Sequence, residues 1–167
     1  KLTYPIYYDG TIGQAKRHLT KTAEKINEKY SDIKAYISVN KALVTQASAA
    51  IPIVPLYFAI LYKVMKVQGT HEGCIEQISR LFHEKLFVEK PVTDEQGRIR
   101  MDDWELSDEV QDKVMECWKN VTTENVAELS DIDGYWQDFY QMFGFHLDGV
   151  DYAKDVDLEV AIPSLEK

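Results

Sequence analysis

Cysteine is scarce in this chain: Cys74 and Cys117 are the only two among 167 residues. Two thiols cannot form the disulfide framework of a small secreted scaffold. A chain this long can build a core without one, so free thiols in a reducing, cytoplasmic setting are expected. No apolar run reaches the roughly 20 residues that a membrane-spanning helix needs; the longest, residues 49–62, is interrupted by Pro52 and Pro55. Basic residues are outnumbered 19 to 28, for a formal net charge of -9. That balance argues against a general binder of nucleic acid or of anionic membrane, without excluding a local basic pocket. A strand–GxGxxG–helix unit, which seats a pyrophosphate on a helix N-terminus, is also missing. Gly10 and Gly13 make only a lone GxxG. There is no leader-like start, internal repeat or low-complexity tract. His71 and Cys74 stand three apart with no second pair to complete a metal site, so no metal is expected. Asp102 and Asp103 are adjacent, diverge on any helix, and fit a charged network with Arg98 and Arg100 better than paired-carboxylate chemistry.

What is present is mostly helical periodicity. Ile12, Ala15, Leu19, Ala23, Ile26 and Tyr30 step by three or four, and Thr11 with Gln14 forms a T-x-x-Q capping box that would start the helix at Ile12. Residues 35–39 read as a strand, β-branched and aromatic between Asp32 and Asn40. Beyond it, the apolar run predicts a buried helix entered through its prolines, with Leu56, Tyr57, Ile60, Leu61 and Val64 at helical spacing and Gly69 as its stop. Its bent entry could frame a cavity for an acyl chain. Ile75, Ile78, Leu81, Phe82 and Leu86 predict the inner face of the next helix, and residues 93–97 a turn. Ser107 caps a helix to Trp118 with Val110, Val114, Cys117 and Trp118 inward. Residues 123–129 and 136–143 are shorter helical candidates, and the acidic stretch 148–159 reads as a solvated strap.

Tyr7 and Lys16 stand nine positions apart. On one helix that is about two and a half turns, so the two side chains would point to opposite sides. Tyr7 is therefore expected before the helix that carries Lys16. Lys16 falls about 60° from the centre of the apolar stripe, where it either turns inward toward a partner or snorkels along the core edge. A tyrosine and a lysine held together handle protons in many carbonyl and enoyl reductases: the hydroxyl donates to a substrate oxygen, and the ammonium polarises it and anchors a nicotinamide ribose. Thr45, Gln46 and Ser48 follow the end of the expected strand, where open α/β sheets bind ligands. They are equally well read as a helix cap.

Residues 3–16, TYPIYYDGTIGQAK, resemble the single-chain trans-2-enoyl-CoA reductases and their bacterial relatives, the V-type enoyl-ACP reductases, whose signature is a tyrosine, eight residues and a lysine. The likeness continues through VNKALVTQAS (39–48), HEGCIEQ (71–77), RIRMDDWEL (98–106), FGF (143–145) and GVDY (149–152). It implies an α/β fold, the carboxyl-terminal part of a Rossmann-type, short-chain-dehydrogenase-like reductase, predominantly helical with few strands. It also implies NADH-dependent reduction of an enoyl-CoA or enoyl-ACP thioester in fatty-acid synthesis. By the same resemblance Tyr7 and Lys16 are the catalytic pair, Lys16 and Thr45 meet the cofactor, and Tyr7, Thr45, Gln46 and Ser48 meet the substrate. Where some relatives have a second lysine, this chain has Arg17. Family members carry a dinucleotide-binding region before the tyrosine. Residues 1–167 are thus expected to be the catalytic part, with an amino-terminal half supplied as a second polypeptide. The alternative is a catalytically silent helical module that binds a ligand or partner.

Overall fold

The apolar run at residues 49–62 becomes the spine of the molecule. The computed structural model describes residues 8–157, 159 and 161, and in it this run leads into α3 (Val54–Gln68). Pro55 lies in the first turn, where its missing N–H leaves no helical bond unmade. Gly69 ends the helix at φ 69°; its N–H donates to Lys66 O (3.2 Å) and that of Thr70 to Met65 O (2.9 Å), the paired bonds of a Schellman stop.

Two faces of α3 are buried. Phe58, Ala59 and Tyr62 pack against Val44 and Tyr135, and Ile60, Leu61, Val64 and Met65 against Val110 and Val114. The covering elements are α7 (Ile132–Gln141) and α5 (Asp108–Asn120). Each fully buried side chain of this kind contributes about 2 kcal/mol, so α3 carries most of the core. Ser107 caps α5 by accepting from Val110 N, as its position predicts.

Two short strands, β1 (Ile37–Val39) and β2 (Arg98–Arg100), pair in parallel with Ile37 opposite Arg98 and Val39 opposite Arg100. β1 starts later than residue 35 because the Asn27 side chain occupies both polar groups of Ala35, accepting from its N–H (2.7 Å) and donating to its carbonyl (2.9 Å). The crossover between the strands runs through α2 (Gln46–Ala49), α3, α4 (Cys74–Arg80) and a wide π-helical turn, Leu81–Leu86. Such a helical connection is what a parallel pair requires. A turn closed by Gly97 N donating to Asp94 O leads into β2. The described residues are thus mostly helical with a small parallel sheet.

Four expectations need correction. The first helix, α1 (Thr11–Lys29), is capped by Gly10 with no side-chain bond, so the Thr11–Gln14 box does not form; Thr11 is already inside the helix. Its apolar stripe is largely exposed, Leu19 at 52%, with only Gly13 and Ala23 buried, because no described element packs closely on it. Lys16 accordingly does not turn inward. On α4 the buried side chains are Gln77 and Arg80, while Ile75 (74% exposed), Ile78 and Phe82 face outward; specific polar partners override the apolar pattern. Finally, the short helices are α6 (Val126–Leu129), shortened where Asn125 accepts from Thr122 N (2.6 Å), and α7, which starts earlier at an Asp131 cap. Residues 148–157 are exposed, as a solvated strap requires.

Candidate active site

The chain leaving β1 is held almost amide by amide. Val39 O first accepts from Met101 N (2.9 Å) and Asp102 N (3.1 Å), closing the sheet. Lys41 N then donates to Gln77 Oε1 (3.0 Å) and Ala42 N to Glu105 Oε2 (2.6 Å). Val44 N reaches the Tyr62 hydroxyl (3.4 Å) and Thr45 N the Ser48 Oγ (2.8 Å). Side chains from α4, from the segment after β2, from α3 and from α2 therefore fix one short loop at the carboxyl end of a parallel strand, the place where α/β sheets present ligand groups.

Beneath the loop lies a buried polar cluster. Lys41 is 2% exposed, its ammonium donating to Ala42 O (3.0 Å) and resting 4.8 Å above the Tyr62 ring. Burial pulls its pKa down to about 8, against the opposing pull of Glu105, Glu72 and Asp138. Glu105 is itself buried; burial pushes its carboxyl up, while donors from Tyr57 and Ala42 and the Lys41 charge hold it back. Tyr57 Oη donates to Glu105 Oε1 (2.7 Å), and Gln111 Nε2 donates to Tyr57 Oη (3.3 Å) and to Glu105 O (2.8 Å). The Tyr62 hydroxyl is pushed up by burial and then by the Asp138 carboxylate. His71 stacks edge-on against Tyr62 with centroids 4.4 Å apart. Burial, then Lys41 and Lys66, bring its pKa down to about 4. His71 Nδ1 and Gln77 Nε2 are buried without a partner among the described residues.

A second cluster adjoins it. Arg80 donates twice to Glu72 (2.7 Å each), to Asp103 Oδ1 (2.9 Å) and to Met101 O (2.8 Å), with its guanidinium 4.1 Å above the Trp104 ring. Lys85 completes it on Asp103 (2.8 Å). Arg100 pairs with Asp102 and Arg98 with Asp94, so the expected network forms with Asp103 assigned to Arg80 instead.

The residues expected at the site divide into three groups. Tyr7 lies outside the described residues. Lys16 is exposed on the second turn of α1, and no carboxylate among the described residues engages its ammonium. Thr45 and Ser48 cap α2 reciprocally: Thr45 Oγ1 accepts from Ser48 N (3.1 Å), and its hydroxyl proton has no acceptor among the described residues. Gln46 is exposed beside them. No hydrogen bond joins Lys16 to this loop among the described residues. Arg17 is turned to Tyr8, donating to its carbonyl (3.2 Å) and stacking on its ring. Sequence reasoning gives Lys41, Gln77 and Glu105 no role at the site and reads Tyr57 only as part of the apolar stripe of α3; Lys41 and Glu105 lie outside helices, where no periodicity marks them.

Residues 1–87 match a family model described as the trans-2-enoyl-CoA reductase catalytic region, and residues 93–156 one described as an enoyl reductase FAD binding domain. A trans-2-enoyl-CoA reductase [NADH] of Clostridium perfringens is 58% identical over 95% of this chain and 41% of its own length. An enoyl-[acyl-carrier-protein] reductase [NADH] of Coxiella burnetii is 53% identical over 99% of this chain and 42% of its own length. The crystal structure of the Treponema denticola trans-2-enoyl-CoA reductase in complex with NAD superposes with a TM-score of 0.89 at 49% identity, covering 92% of this chain and 39% of that one. The chain thus spans about two fifths of the length of the relatives it matches.

The second description names a flavin, and the helix starts within residues 93–156 do not suit its pyrophosphate. A helix N-terminus is a ready seat for such an anion, whereas α5 opens on Asp108 and Glu109 and α7 on Asp131 and Asp133. Arg98 and Arg100 are already neutralised by Asp94 and Asp102.

Proposed function

This chain belongs to the trans-2-enoyl-CoA reductase family, and on that premise we propose that residues 1–167 form the catalytic and substrate-binding part of an NADH-dependent reductase of trans-2-enoyl thioesters carried on coenzyme A or acyl-carrier protein. In this reading the parallel β1–β2 pair is the rim of a Rossmann-type, short-chain-dehydrogenase-like sheet. Residues outside these 167 complete the cofactor site, and the enzyme works in cytoplasmic fatty-acid synthesis. The observation that carries it is the Tyr7–Lys16 spacing inside the segment matched by the catalytic-region model.

When bound, NADH supplies the hydride that the β-carbon of the enoyl thioester accepts. The chain's own residues then have defined tasks. The Tyr7 hydroxyl donates to the thioester oxygen, where negative charge develops in the transition state. Lys16, exposed and unpaired by any carboxylate among the described residues, has an ammonium available to hold a ribose hydroxyl and to polarise Tyr7. Thr45, whose hydroxyl proton has no acceptor among the described residues, donates toward the nicotinamide or the thioester. Gln46 and Ser48 line the same loop on the substrate side. The acyl chain follows the bent entry to α3 at residues 51–55.

Tyr7→Phe removes a donor that matters most in the transition state, so kcat for crotonyl-CoA reduction should fall about a hundredfold or more with KM little changed. Tyr8→Phe, which breaks the family spacing, should stay close to wild type. A near wild-type kcat in Tyr7→Phe would reject the assignment.

A further inference from the structure

The bond from Ala42 N to Glu105 Oε2 spans 63 residues of sequence and is, at 2.6 Å, among the shortest hydrogen bonds to the loop after β1. Its acceptor is a buried carboxylate, 6% exposed, whose second oxygen takes the Tyr57 hydroxyl at 2.7 Å. Gln111 secures both partners from α5, donating to Tyr57 Oη and to the Glu105 carbonyl. Lys41, the residue before Ala42, is buried next to Glu105 and closes the pattern by donating to Ala42 O. Of the two peptide groups flanking Ala42, the first is therefore held at its N–H by the Glu105 carboxyl group and the second at its carbonyl by the Lys41 side chain, three residues before Thr45.

A buried carboxylate costs stability unless its charge and lone pairs are met. An apolar side chain would fill the space beneath the loop but leave the Ala42 N–H and the Tyr57 hydroxyl without their acceptor, so what Glu105 supplies is hydrogen bonding rather than packing. Its geometry does supply something packing cannot: an N–H bond of fixed direction that sets the height and tilt of the loop above α3. Bonds to an ionised acceptor are shorter and stiffer than neutral ones. Displacement of about 1 Å at a reacting group can cost a hundredfold in rate.

We propose that Glu105, with Tyr57 and Gln111 behind it and Lys41 beside it, is a positioning residue that preorganises the 41–48 loop, and through it Thr45, for the transition state of thioester reduction. The proposal rests on the reading that this loop meets nicotinamide and thioester. Glu105 touches neither reactant; it acts through the Ala42 peptide.

In the intact protein, Glu105→Gln keeps the side-chain shape but replaces the carboxylate by a neutral amide, a weaker acceptor for Ala42 N, whose NH2 faces the Tyr57 oxygen and turns its hydroxyl proton away. The expected result is a kcat lowered tenfold or more, with KM for NADH and for crotonyl-CoA within about threefold. Hydrogen exchange at the Ala42 amide should accelerate at least tenfold, while the α5 amides keep their protection. Tyr57→Phe, which spares the Ala42–Glu105 bond but frees the carboxylate's other oxygen, should give a loss of about threefold in kcat and a smaller acceleration at Ala42. This variant carries the test if Glu105→Gln does not fold. A kcat within twofold of wild type in the folded variants would overturn the proposal, and so would a fall in kcat with unchanged exchange at Ala42. If the wild-type protein itself reduces no enoyl thioester, the functional reading fails, and the exchange measurement alone then decides whether Glu105 braces the loop.

Discussion

Lys41 and His71 lie against the same tyrosine, Tyr62, and burial acts on both in the same direction, favouring the neutral form. The consequences for stability fall in separate windows. Lys41 titrates near 8 in the folded chain against 10.5 when unfolded. Between those values the unfolded state holds a proton that the folded state lacks, so this group makes stability rise with pH. Above about pH 10 the raised tyrosines Tyr57 and Tyr62 reverse the trend, because the unfolded chain then loses protons first. Urea unfolding from about pH 8 to about 10 should show a gain in the wild type that Lys41→Met lacks. His71 falls from 6.5 to about 4, so its contribution is complete above 6.5 and is lost as pH drops toward 4. His71→Phe should flatten the curve in that interval. Glu105, pushed the other way by burial, makes stability fall as pH rises above the usual carboxylate range, which is why each comparison is wild type against variant. An unchanged slope in either variant would show that the side chain is not buried as described.

At the scale of elements, α3 stores its tension at its entrance and sheds it at its exit. Ile53, just before the helix, has φ 75°, a region that a β-branched residue occupies only under strain. Since Ile53 is 42% exposed, Ile53→Gly should raise stability by about 1 kcal/mol. At the other end Gly69 has φ 69° and open space around it. Gly69→Ala should therefore cost about 1 kcal/mol through the backbone alone. Urea midpoints measure both, and a destabilised Ile53→Gly would mean that its side chain packs more than its exposure suggests. These same boundaries explain what could be read in advance. α3 and α5 were legible because Pro55, Gly69 and Ser107 act within a turn of their own positions, and β1 because its residues favour the extended chain. α4 was misread because Gln77 and Arg80 turn inward for partners far away in sequence, Lys41 and Met101 among them. Ion pairing in the 94–103 region was legible as composition, but the choice of Arg80 for Asp103 depended on tertiary placement. At the site, Thr45, Gln46 and Ser48 are legible as polar groups after the strand that could equally cap a helix, while the buried groups supporting their loop carry no local pattern at all.

Across the whole molecule, the two segments matched by separate family models interlock as one folded unit. β1 pairs with β2, Ala42 and Tyr57 bind Glu105, Arg80 binds Asp103, and α3 packs on α5. Arg80 is the ionic centre of this seam, and Arg80→Ala leaves Glu72 buried without its partner. Unfolding free energy should drop by about 3 kcal/mol, with a single transition retained; two separated transitions would mean that the segments fold independently. Lys16 stands exposed on α1, with no carboxylate among the described residues on its ammonium, and the proposed reading has it meet a ribose. The most direct measurement uses NADH deuterated on its reactive ring carbon, a trans-2-enoyl-CoA substrate and the intact protein, with mass spectrometry of the product. The expected product is a saturated acyl thioester carrying one deuterium on the β-carbon. Label on the α-carbon, or no thioester-dependent transfer at all, would contradict the proposed reading.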